Sequence, residues 1–127
     1  MARRKTRWIL FALALVAMWR RLDRVVVSGV SMAPTLFPGD QLLVVRTRHA
    51  RAGDLVVIRD PREPSREVVK RVARVTEDGD LVVAGDNAEM STDSRTYGAV
   101  PRDLLVGRAV YHVRAATRSG VAEGRRR

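Results

Sequence analysis

Between residues 25 and 113 the chain consists of short runs of β-branched residues broken by turn residues, and no stretch keeps a helical period. The candidate strands are residues 25–30, 41–47, 54–59, 67–76, 81–84 and 104–113. Turn signals separate them: Pro38-Gly39-Asp40, Ala52-Gly53-Asp54, Asp60-Pro61 with Pro64-Ser65, and Asp78-Gly79-Asp80. This pattern predicts a mainly β fold, a compact antiparallel sheet or partly closed barrel. Residues 85–101 are polar and rich in Gly, Asp and Ser, which predicts a long ordered loop of the kind that often carries function. At 127 residues there is room for one domain.

Charge is distributed unevenly over that domain. Residues 1–24 hold Arg3, Arg4, Lys5, Arg7, Arg20, Arg21 and Arg24 against Asp23. Residues 114–127 hold Arg114, Arg118, Arg125, Arg126 and Arg127 against Glu123. The stretch between them, 25–113, has 12 basic and 12 acidic residues and is neutral. A nucleic-acid-binding domain concentrates basic residues on the fold itself, so nucleic acid is not expected as a partner. Cationic ends on a neutral body suit an anionic membrane lipid surface. The absence of cysteine excludes disulfides, thiolate zinc sites and a cysteine nucleophile.

Residues 8–19, WILFALALVAMW, carry no charge and lie between basic clusters. As a helix they span about 18 Å, short of the roughly 30 Å of a bilayer's hydrocarbon. A signal-peptide core, a core helix of the domain and a short membrane anchor are the three readings. Trp8 and Trp19 at the two interfaces, with Arg7 and Arg20 snorkelling outward, favour the anchor. The expected organisation is an anchor over 1–24, a β domain over 25–113 and a basic, flexible tail over 114–127. The slight excess of basic residues ahead of the run predicts a single-pass protein of the cell membrane, with a cytoplasmic N-terminus and the domain on the outer face.

Among the serines, Ser31 has an unusual setting. It closes VVVSGVS and is followed by Met32-Ala33-Pro34, whose proline restricts Ala33 and forces a turn or extension just past the hydroxyl. A plain turn serine is the alternative. The histidines, His49 and His112, come with no recognisable acid partner, and neither reads as a member of a triad. Lys70 is the better base. Of 24 basic residues only Lys5 and Lys70 are lysines, and Lys70 shares a strand face with Val68, Val72 and Arg74. An ordinary lysine is neutral in about 1 molecule in 2,500 at pH 7, whereas burial lowers a lysine's pKa to about 7–8. Catalysis by Lys70 therefore requires a dry site; the alternative is a strand lysine with its ammonium in water. The loop acids Asp86, Glu89 and Asp93 lack EF-hand spacing, and no metal is expected.

Taken in order, Ser31-Met32-Ala33-Pro34-Thr35-Leu36, Gly39-Asp40, Lys70-Arg71-Val72, and Gly85-Asp86-Asn87 with Ser91, Asp93-Ser94-Arg95 and Gly98 resemble the bacterial type I signal peptidase family, serine proteases of the S26 type with a Ser–Lys dyad. The resemblance implies that Ser31 is the nucleophile and Lys70 the general base, its amine held by the Ser91 hydroxyl. It implies that Asp93 and Arg95 form an ion pair beside the site and that Gly85-Asp86-Asn87 braces the loop. It also implies a signal-peptidase-like β fold, precursor proteins with signal peptides or pro-segments as substrates, and no cofactor. Where some members carry a hydroxyl two residues before the nucleophile, this chain has Gly29, so oxyanion stabilisation falls to backbone donors or water. Only 14 residues separate Lys70 from Gly85, too few for the extra β domain of larger members. The chain thus also resembles small relatives dedicated to one precursor, such as the nickel-type superoxide dismutase maturation protease. A noncatalytic β module bound to anionic membrane is the reading from a different class.

Overall fold

The computed structural model describes residues 2–115. A helix α1 (Ala2–Arg20) leads into six strands: β1 (Leu22–Val26), β2 (Gln41–Arg46), β3 (Leu55–Asp60), β4 (Glu63–Val75), β5 (Leu81–Ala84) and β6 (Leu105–Val113). They form one antiparallel sheet in the order β1-β2-β6-β3-β4-β5. The connection from β5 to β6 contains a 3-10 turn (Ala88–Met90), one short helix α2 (Ser94–Tyr97) and a second 3-10 turn (Arg102–Leu104). The mainly β architecture expected from the turn-punctuated runs is what forms.

Apolar side chains are buried on both faces of the sheet. Val27, Met32, Leu36, Leu42, Val44, Val57 and Val69 make one cluster. Val56, Ile58, Val72, Leu81, Val83, Val100 and Leu105 make the other. Strand β3 divides between them, Val57 facing the first and Val56 and Ile58 the second, which explains its unbroken Val-Val-Ile run. An antiparallel sheet with one wet face would alternate apolar and polar residues instead.

The first strand lies earlier than its valines suggest. The expected strand 25–30 is replaced by β1 at Leu22–Val26, paired from Leu22↔Val45 to Val26↔Gln41. Arg46 ties down its start, donating through Nε to Asp23 Oδ2 at 2.8 Å and through its backbone to Arg21 O at 2.7 Å. Past Val27 the chain bends away at Gly29, whose φ of 78° is disfavoured for any residue with a Cβ. At the other hairpin β4 begins at Glu63 rather than Glu67, because Asp60 accepts the Arg62 backbone N–H at 2.9 Å and closes a two-residue turn.

The expected single-pass span is corrected by the helix itself. The helical reading of the N-terminus holds, and α1 buries none of its residues in the domain. Its apolar part is only residues 8–19, about 18 Å of helix, because Arg3, Arg4, Lys5 and Arg7 occupy the first turns. Among the described residues, no helix is long and apolar enough to cross a membrane. Of the basic tail expected over 114–127, residues 116–127 lie outside the described residues.

Candidate active site

Ser31 opens the turn 31–36 in the link from β1 to β2. Met32 and Leu36, both almost wholly buried, plug this turn into the first apolar cluster, and the Leu36 N–H donates to Met32 O at 2.9 Å. Pro34 is exposed, and the Ala33–Pro34 peptide is cis. Paired bonds between Val27 and the Gly39-Asp40 corner, at 2.8 and 2.9 Å, close the base of the loop. Ser31 therefore stands on a turn held from beneath, past the end of β1 rather than at a strand terminus.

The segment after β5 grips this turn from the side. The Asn87 backbone N–H donates to Ser31 O at 2.8 Å, and its side-chain amide to Val30 O at 3.1 Å. Asp86 accepts from Thr35 Oγ1 at 2.5 Å and from Arg71 Nε and Nη2, each at 2.9 Å. The Arg71 guanidinium holds the Asp86 carboxyl below its usual pKa against the effect of burial, and Thr35 adds to the lowering. Gly85 is required by space: a Cβ there would meet the Ser91 hydroxyl and lie 2.6 Å from Ser31 O. The tripeptide thus locks the Ser31 turn to β4 and β5.

Lys70 lies on β4 opposite Val56, flanked on its own face by Val68 and Val72, and the residue is only 4% exposed. Its Nζ donates to Ser91 Oγ at 2.9 Å, and Ser91 Oγ lies 3.3 Å from Asp93 Oδ2. Burial pushes the Lys70 amine below the ordinary lysine value; Asp93 and Asp60 oppose this, while Arg66 and Arg62 reinforce it. Asp93 caps α2 and is fully buried. Burial alone would raise its pKa. Arg95, through its guanidinium and its backbone N–H, and the Gly85 N–H instead hold it at about 2. Arg95 reaches the carboxylate with Nε and Nη2, both at 2.9 Å, and also donates to Ala88 O at 3.0 Å.

Ser31 and Lys70 line one cavity of about 200 Å³, together with Gly29, Met32, Met90 and Thr92. Of the expected site residues, Ser31, Lys70 and Met32 line this cavity; Ser91, Asp93 and Arg95 are linked to it through the Lys70 amine, and Asn87 through the Ser31 carbonyl. The fold leaves the histidines apart. His49 is exposed in the link from β2 to β3, and His112 Nε2 lies 2.8 Å from the buried Asp40, at the base of the Ser31 loop. Sequence reasoning missed the far wall of the cavity, formed by Asp60, Arg62, Arg66 and Glu67. Their only signal was their place just upstream of Lys70. Arg71 stood inside the Lys70 motif, but its tie to Asp86 needs the β4–β5 register to be seen.

The family model for signal peptidase, peptidase S26, matches residues 3–76 and 73–113. The chain belongs to this family. Being an S26 chain, it is a peptidase, and its relatives are membrane proteases. The mitochondrial ATP-independent inner membrane protease subunit 1a of Arabidopsis thaliana is 34% identical over 122 residues, covering 72% of this chain and 73% of its own. The mitochondrial inner membrane protease subunit 1 of Xenopus tropicalis is 35% identical over 112 residues, covering 70% and 67%. The human protein of the same name is 30% identical over 112 residues, covering 70% and 68%.

Proposed function

We propose that the chain is a membrane-associated serine endopeptidase that removes signal peptides or pro-segments from precursor proteins, with Ser31 as nucleophile and Lys70 as general base. The observation that carries this reading is a buried amine with a lowered pKa, steadied by Ser91, in the cavity that Ser31 also lines. Neutral Lys70 takes the Ser31 proton as the hydroxyl attacks the peptide carbonyl, then returns it to the leaving amine. A water activated by the same amine hydrolyses the acyl-enzyme. Backbone N–H groups of the Ser31 turn stabilise the oxyanion, since Gly29 offers no hydroxyl.

The surrounding charges serve the base. A bare carboxylate at Asp93 would favour the protonated ammonium; Arg95 neutralises it, so Ser91 can orient the amine without a full negative charge behind it. The exposed apolar side chains of α1, flanked by basic residues, support attachment to a membrane. A narrow substrate range, down to a single precursor, is the second reading. It is favoured by the direct turn 76–80 between β4 and β5, which adds no second domain to the cleft.

In detergent, Ser31→Ala and Lys70→Ala are each expected to abolish precursor cleavage while circular dichroism stays that of the parent. Cleavage retained by either variant excludes the dyad.

A further inference from the structure

The cavity has a second end. One wall is the segment 25–32, and the other is β4 over residues 66–70, with Asp60 and Arg62 beyond. Ser31 and Lys70 stand at one end, and Arg66 lies four residues up β4, about 13 Å along an extended strand. Each wall is paired on one side, β1 with β2 and residues 67–70 of β4 with β3, and among the described residues has no strand partner on its other edge. β1 pairs only with β2, and β5 pairs with β4 only from Arg71 onward. A chain entering this groove is therefore held extended, with successive side chains passing fixed points of the wall.

Four charged residues other than Lys70 line the groove: Asp60, Arg62, Arg66 and Glu67. Asp60 and Arg62 occupy each other, with Arg62 Nη2 3.3 Å from Asp60 Oδ2 and its guanidinium 6.0 Å from the centre of the Tyr97 ring. Glu67 stands opposite Arg59 in the β3–β4 ladder. Arg66 is exposed, and among the described residues it has no ion pair. It is close enough to the reacting end for its charge to act on Lys70.

We propose that Arg66 is a specificity-determining contact, receiving the carboxylate of an Asp or Glu about four residues from the scissile bond of an extended substrate. This rests on the Ser31–Lys70 reading of the site. Asp60 feels the Arg66 charge but is already held by Arg62, so an exposed cation outside any ion pair, placed along the groove, favours an acidic side chain and disfavours a basic one at that position.

The test uses the full chain in detergent micelles and peptides built on one uncharged cleavable sequence, with a single Asp or a single Lys moved along positions on both sides of the cut. The readout is the ratio of kcat/KM for the Asp peptide to that for the Lys peptide, taken within each enzyme so that a general loss of rate cancels. The parent is expected to show a ratio of about fivefold at one position roughly four residues from the cut, the size of one exposed ion pair, carried by KM. Arg66→Lys keeps the ratio, Arg66→Ala brings it near one, and Arg66→Glu inverts it. A flat ratio at every position in the parent, or a preference that survives in Arg66→Glu, overturns the assignment and leaves the Ser31–Lys70 reading intact. Failure of the parent to cut even the uncharged peptide overturns both.

Discussion

Lys70 is the single lysine in the body of an arginine-rich chain, and lysine, unlike arginine, can shed its proton when buried. Its environment sets how readily it does so. Burial lowers the Lys70 pKa and Asp93 raises it, so the state of Asp93 governs the balance. With its carboxyl held at about 2, Asp93 is ionised near neutrality, and on the proposed mechanism an acid limb of activity there would belong to Lys70. If Lys70 is the base, activity needs the neutral amine and falls as pH drops through the Lys70 value. Arg95→Ala strips Asp93 of its neutralising partner, strengthens its pull on the ammonium and is expected to move that acid limb of kcat/KM to higher pH. An unmoved limb, or one moved to lower pH, contradicts this role for Arg95. That Lys70 meets Ser91 and shares a cavity with Ser31 was anticipated from local motifs. Arg66 was not, because nothing in Arg66-Glu67-Val68 says that this strand forms the far wall of the serine's own cavity.

At the scale of elements, the site depends on three segments meeting: the Ser31 turn, β4, and the stretch after β5. Gly85 is where they touch. Gly85→Ala would press on the Ser91 hydroxyl and the Ser31 carbonyl together. It is expected to cost about 1–3 kcal/mol in thermal unfolding, as overpacking does, and roughly 100-fold in kcat through displacement of the reacting groups. Parent-like kcat would show that the three segments are not so tightly coupled. The sequence carried the strands' number and type because turn residues mark them, and residues 81–84 coincide with β5. It misplaced β1 because a run of valines has higher strand propensity than Leu22-Asp23-Arg24. Long-range pairing decided otherwise: the Asp23–Arg46 ion pair and the β2 ladder draw the earlier residues in, and the Gly29 bend cuts the valine run short.

For the molecule as a whole, a neutral sheet domain carries a basic, apolar helix that buries nothing in it, so the proposed substrate chemistry and the proposed membrane attachment fall to separate parts. What the entire fold contributes to the proposed chemistry is the burial of Lys70. Strands from across the sheet, together with the 85–95 segment, remove water from one amine, and no local stretch of sequence does so alone. That property can be read in one experiment, since the chain holds only two lysines. With lysine side chains labelled with carbon-13, the pH titration of the signal that disappears in Lys70→Arg reports the amine directly. A midpoint below the ordinary lysine value of 10.5 is the predicted result. A midpoint at or above that value would mean that Lys70 keeps its proton, and it would contradict its role as the base for Ser31.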